Sequence, residues 1–259
     1  MSQRPMRQRL FTETDYAADN AFGKPLNGWK LGGLVDPEVG RLHGFVNDMG
    51  FALMHVVNQK ADGGKWLDLY DQFVLFENPG AIAVCTDGEG RVGLVQNYRL
   101  VGDRLEEVLK FLRNPETGKY DFSGYAKTLR GKRLFAQALE GLGAWVWELP
   151  RGLAPAGETD DIAAFIRKVA AIEAKEEGGF GIAEIRQRGK INANTTFFPH
   201  PQFVVSGKIV ARGANRPEAM ESIGRARMFA PDELRRMADA DEFYDGLSLG
   251  CLAKVGYHF

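Results

Sequence analysis

The stretch from Gly152 to Phe180, GLAPAGETDDIAAFIRKVAAIEAKEEGGF, constrains this chain more than any other. Pro155, Gly157 and Thr159 mark a loop, and the residues after them run without Pro or Gly as far as Gly178. Within that run Ala163, Ile166, Val169, Ala170 and Ile172 form a stripe for burial, so a loop followed by a helix is predicted. Gly178 and Gly179 end the helix, because paired glycines are costly inside one and readily take the left-handed conformation of a C-cap. Glu173, Glu176 and Glu177 then stand at i, i+3 and i+4 and share one patch near the helix C-terminus.

That patch is electrostatically unfavourable. Like charges at i,i+4 repel, and the C-terminal end of a helix is the negative end of its dipole. Lys175 neutralises part of it. A Mg²⁺ ion, which takes carboxylate oxygens together with phosphates and water, neutralises more. A solvated acidic helix end softened by Lys168 and Lys175 explains the same composition, so the surrounding spacing has to decide.

Gly152, five residues, Glu158, and later Glu173-Ala174-Lys175-Glu176-Glu177-Gly178-Gly179-Phe180 resemble the signature of the Nudix hydrolases. The second half matches at the three Glu, at Ala174, at Gly179 and at Phe180. Two positions depart from the pattern. Ile172 stands where the family has Arg, and thirteen residues, Thr159 to Ala171, separate Glu158 from that position where the family has seven. The extra six add more than one helical turn or lengthen the loop. Upstream, ENPGAIAVCTDGEGRVGLVQNYR resembles the opening of the ADP-ribose pyrophosphatase branch, with Asn97 replacing Gln and Tyr98 and Arg99 retained; Arg99 is the candidate to bind substrate. WVWELP followed by Arg151-Gly152 resembles that branch's Glu-Leu-Pro-Ala-Gly, with Arg151 where Ala is usual.

Residues 1 to about 65 are rich in Gly and polar punctuation, with Phe45 to Val57 as one strand or a strand pair. His43 and His55 lie there without metal-ligand spacing. WLDLYDQFVLFEN, AIAVCTD and RVGLVQNYR are predicted as a three-strand meander, with a hairpin turn at Asp87-Gly88-Glu89-Gly90. From about 100 to 143 the pattern is a helical insertion around a loop at NPETGKYDFSG, with Arg130, Lys132 and Arg133 as a basic cluster on a solvated face or a lid. Trp145 and Trp147 share one face of a strand, where core packing is expected. GIAEIRQRGKI and HPQFVVSGKIVA read as strands around the loop NANTTFFP, and Glu218 and Glu221 precede a further strand. PDELRRMAD and DGLSLGCLAKV read as closing helices.

Bulk properties narrow the class of function. A net charge of −1 gives no basic surplus for nucleic acid. Cys85 and Cys251 lie far apart in apolar surroundings and are expected to be reduced core residues. No run approaches a membrane-spanning length and no apolar segment follows the basic residues of the N-terminus, so a cytoplasmic location is the expectation.

The resemblance implies an α/β (α+β) Nudix sandwich, a mixed sheet between helices over residues 79–259, preceded at 1–78 by a smaller β-containing region that in relatives often exchanges across a homodimer. Alternation and helix order support a layered α/β architecture independently. It also implies hydrolysis of a nucleoside diphosphate linked to another moiety, ADP-ribose or a nucleotide sugar, with Mg²⁺ or Mn²⁺ held by Glu173, Glu176, Glu177 and the Arg151 carbonyl. Glu221, in preference to Glu218, would act as base, Glu176 would also serve catalysis, and Gly152, Glu158 and Gly179 would shape the box. Arg167 and Lys168 are the candidates to replace the Arg absent at position 172. A Nudix-fold nucleotide binder with little hydrolase activity is the alternative reading; the missing Arg and the lengthened box fit it, and the retained Glu trio does not.

Overall fold

The structure, a computed structural model, describes residues 6–10, 35–36, 40–41, 44–46, 52–77, 79–99, 113–120, 144–153, 159–195, 198–217 and 222–258. Its strands are β1 (Met6–Leu10), β2 (Val35–Asp36), β3 (Gly40–Arg41), β4 (Gly44–Val46), β5 (Ala52–Asp62), β6 (Lys65–Phe76), β7 (Gly80–Thr86), β8 (Val92–Arg99), β9 (Ala144–Glu148), β10 (Arg151–Leu153), β11 (Phe180–Asn194), β12 (Phe198–Arg212) and β13 (Ile223–Phe229). The helices among the described residues are α1 (Ile162–Gly178), α2 (Pro231–Asp239) and α3 (Gly246–Lys254). The class is therefore α+β. Two compact units emerge, one from Met1–Ile82, Gly152–Val169 and Gln187–Val205, the other from Ala83–Arg151, Ala170–Arg186 and Ser206–Phe259.

In the first unit β1, β5 and β4 lie side by side and β6 pairs with β5. Gly63 and Gly64, at φ +55° and +83°, close the two-residue turn that sets Asp62 opposite Lys65. Positive φ at both central residues matches the twist of flanking strands, and glycine adopts it without steric penalty. This corrects the expected meander. The tight turn makes β5 the neighbour of β6, so β6 belongs to a different sheet from β7 and β8.

The second sheet has seven strands in the order β11-β12-β7-β8-β13, with β10 beside β7 and β9 beside β8. Strand β7 is buried from Gly80 to Cys85, as expected of a central strand covered on both faces. The turn into β8 forms where the sequence placed it: the Asp87 carboxylate accepts the amides of Glu89 (3.0 Å) and Arg91 (2.9 Å), and Thr86 faces Val92. At Gly93 a Cβ would lie 2.6 Å from the Phe180 ring, so the absent side chain makes room for that fully buried aromatic. Among the described residues no helix is long and apolar enough to cross a membrane.

Two expected core assignments are corrected. The tryptophans of β9 do share a face, but only Trp147 packs inward, half-buried on the core ring of Phe229 at 4.8 Å under Arg225, while Trp145 is 50% exposed and meets Tyr98 edge to face. The opposite face carries Val146 and Glu148, because Glu148 has its cations there. Ile172 is exposed as well, since it stands well round the helix from the buried line of Ile166, Ala170 and Ala174.

Cys85 and Cys251 are free thiols with no exposed surface. Burial pushes the Cys85 thiol up to about 12. Cys251 rises to about 12 through burial and then the Asp245 charge, against the opposing charges of Arg151 and Lys254. Both stay protonated at neutral pH, and Ellman's reagent at pH 8 is expected to find no reactive thiol until denaturant exposes both. The folded-state values lie above the unfolded ones, so the stability they confer is intact below pH 9 and declines as pH rises toward 12. The slope is about 1.4 kcal/mol per pH unit for each thiol. Urea midpoints at pH 8 and 10 test this, with Cys85→Ala and Cys251→Ala each expected to flatten the decline.

Candidate functional site

Helix α1 begins at Asp161, whose carboxylate accepts the Ala164 amide at 2.9 Å, the usual role of an N-cap carboxylate. Its buried line runs Ile166, Ala170, Ala174 and on to Glu177, which is only 2% exposed. The helix thus extends its apolar stripe into a carboxylate. Glu173, one turn earlier, and Glu176 are half-buried flanks, while Lys175 is exposed.

At the C-terminus Gly179 takes φ +64° and its amide donates to the Lys175 carbonyl at 3.0 Å, the left-handed cap that glycine favours. A Cβ there would overlap the Gly213 carbonyl. The Gly213 amide donates back to Gly179 (2.8 Å) and the Arg216 amide donates to the Glu176 carbonyl (2.6 Å). Gly179→Ala therefore combines a disfavoured φ, worth about 1–2 kcal/mol, with a backbone clash. It is expected to lower stability by about 2–4 kcal/mol in urea titrations, and a loss under about 0.5 kcal/mol would contradict the described cap.

The second component is a charge network on the neighbouring strands. Arg99 lies bidentate on Glu148, with Nε donating to Oε1 at 2.7 Å and Nη2 to Oε2. Arg151 reaches the same carboxylate with Nη2 at 2.9 Å and turns Nη1 to Asp245 at 3.0 Å. Asp245 caps α3, accepting the Ser248 amide (3.0 Å) and hydroxyl (2.6 Å), and the Ser248 Oγ accepts the Leu149 amide at 2.9 Å. Burial disfavours the Arg99 charge, but its hydrogen bond to Glu148 and the charges of Glu148, Glu177 and Asp245 hold the guanidinium above its ordinary value. These groups act on one another through a poorly screened interior.

One bond joins the two components: the Arg151 amide donates to Glu177 Oε2 at 2.8 Å, across 26 residues of sequence. The residue whose carbonyl the resemblance assigns to a metal therefore sits at the Glu177 carboxylate. A cavity of about 510 Å³ opens beside the helix end, lined by Lys175, Glu176, Gly213, Ala214 and Arg216. Gly152 lies in β10, half-buried.

Other expected residues fall elsewhere. Glu158, Glu218, Glu221 and His43 lie outside the described residues, as do Arg130, Lys132, Arg133 and the insertion at 100–143 apart from the turn at 113–120, where Asn114 accepts the amides of Glu116 and Thr117. His55 stands on β5. Glu148, Asp245 and Ser248 are central to the network but were not among the sequence candidates. Glu148 alone carried a signal, as a lone charge in the apolar strand AWVWE.

Among the described residues no three His, Cys, Asp or Glu side chains gather closely enough to hold a metal by themselves. Glu173 and Glu177, hard oxygen donors one turn apart, fit an ion that takes one or two carboxylates and completes its shell with phosphates and water, as Mg²⁺ does. They do not fit a closed cage of the zinc type.

No protein-family model and no curated protein matches the chain. Among solved structures, an ADP compounds hydrolase is similar at 12% identity over 78% of this chain and 84% of its own, with a TM-score of 0.47. A NUDIX hydrolase from Nitrosomonas europaea is similar at 18% identity over 70% of this chain and 91% of its own, with a TM-score of 0.41.

Proposed function

We propose that this chain is a metal-dependent pyrophosphohydrolase of the Nudix type, acting on a nucleoside diphosphate linked to another moiety, with ADP-ribose and nucleotide sugars as the leading class. The observation that carries this reading is the bond between the Arg151 amide and Glu177. It joins the start of β10, next to Gly152, to the end of the acidic helix, the two halves of the motif read in the sequence.

Glu173 and Glu177, with Glu176 at their flank and the Arg151 carbonyl nearby in sequence, are the groups that would hold Mg²⁺ or Mn²⁺. Such an ion, when bound, offsets phosphate charge and lowers the pKa of a coordinated water. The chain's own contribution is orientation. The Arg151 amide fixes the rotamer of Glu177, and the main-chain bond from Arg216 to Glu176 holds the loop after β12 against the helix end. Glu221, which follows Arg216 in the sequence leading to β13, is the proposed acceptor of the proton from the attacking water. A homodimer and a cytoplasmic location belong to the same proposal.

The test is hydrolysis of a panel of ADP-ribose, nucleotide sugars and dinucleoside diphosphates with Mg²⁺ or Mn²⁺. Turnover that vanishes with chelator is expected. Nucleotide binding without metal-dependent turnover on any member would replace the enzyme with the binder.

A further inference from the structure

We infer that the Arg151 side chain is a positioning residue, fixing the peptide whose amide holds the Glu177 carboxylate. The inference rests on the metal-dependent reading above. The exposed Ile172 offers no charge toward this carboxylate. Arg151 instead has an 18% exposed side chain stretched between two carboxylates, Glu148 at 2.9 Å and Asp245 at 3.0 Å.

Both anchors are themselves fixed. Glu148 is 1% exposed and also bound by Arg99, and Asp245 is held by the amide and hydroxyl of Ser248. The same Ser248 hydroxyl accepts the Leu149 amide, so residues 149 and 151 are both tied to the start of α3. The Pro150–Arg151 peptide between those ties has little freedom, and its N–H points at Glu177 Oε2 from 2.8 Å. A donor held this firmly selects one carboxylate orientation before any ion arrives, and partners of this indirect kind are worth about 10–100-fold in metal affinity or activity.

Asp245→Asn isolates the effect. Asn caps a helix about as well as Asp, so α3 and its bond to Ser248 persist while the charge gripping Arg151 is lost. Mn²⁺ affinity of the full chain, read by electron paramagnetic resonance without nucleotide, is expected to fall by about 10–100-fold in Asp245→Asn and in Arg151→Met, with Arg151→Lys in between. Hydrogen exchange at the Arg151 amide should accelerate in the same variants by more than the fall in global stability, read from the urea midpoint, accounts for. Unchanged Mn²⁺ affinity in both Asp245→Asn and Arg151→Met, with a wild type that binds, overturns the inference and leaves the metal reading standing. A wild type that binds no Mn²⁺ overturns the metal reading, and the exchange arm then decides: an Arg151 amide still protected in Asp245→Asn removes the positioning role too.

Discussion

Replacing Glu148 by alanine is expected to lower stability by about 3 kcal/mol, the lower end of the cost of removing one partner from a buried ion pair. The Glu148 side chain is 2% exposed and serves two guanidinium groups. Arg99, whose side chain is 39% exposed, recovers solvation after the change, whereas Arg151 at 18% recovers less. The cost therefore centres on Arg151 and falls short of the fully buried limit. Against a typical net stability of about 5–15 kcal/mol the loss is large. Glu148→Gln retains an acceptor and is expected to cost about half as much. Replacing the network together, Arg99→Met with Glu148→Leu, Arg151→Met and Asp245→Asn, should restore most of the stability, because no charge is then left buried alone. Urea denaturation with matched m-values measures all three; a loss below about 0.5 kcal/mol for Glu148→Ala would show the network to be a surface feature.

Glu177→Gln is expected to cut kcat/KM by at least about 100-fold, since removing a proposed metal ligand should exceed the ~10–100-fold that its supporting partners are worth. Gln keeps an oxygen to accept the Arg151 amide, so the fold should survive. Removing one negative charge from a helix end where Glu173 and Glu176 also stand relieves repulsion, and the metal-free melting temperature should hold or rise. Loss of activity without loss of stability is the signature to look for. A variant that keeps wild-type kcat/KM removes Glu177 from the mechanism, and one that fails to fold assigns it to the core.

The division between what is and is not legible in the sequence follows the range of the interactions. The end of α1 is legible because Gly178 and Gly179 act locally, through backbone conformation, and the hairpin at Asp87 to Gly90 is legible for the same reason. Spacing also places Glu173, Glu176 and Glu177 on the helix. It does not show that Glu177 continues the buried line while Ile172 leaves it, because a carboxylate on an apolar stripe is recognised only when its partner is known. That partner is a main-chain amide 26 residues away. Arg99 and Glu148 are 49 residues apart, Arg151 and Asp245 94, and Leu149 and Ser248 99. No local periodicity encodes such links. In sequence Arg151 looks like a neutral replacement for a small residue, and Trp145 looks like core, because the bidentate partner that turns Glu148 inward, Arg99, comes from another strand.

The bonds from Gly213 to Gly179 and from Arg216 to Glu176 are both main chain to main chain. Side chains at 214 and 216 line the cavity without sustaining those links, and a Cβ at Gly213 would meet nothing within 4 Å. This rim is consequently open to evolutionary drift: mutation can retune its shape and charge while the main-chain scaffold beneath stays put.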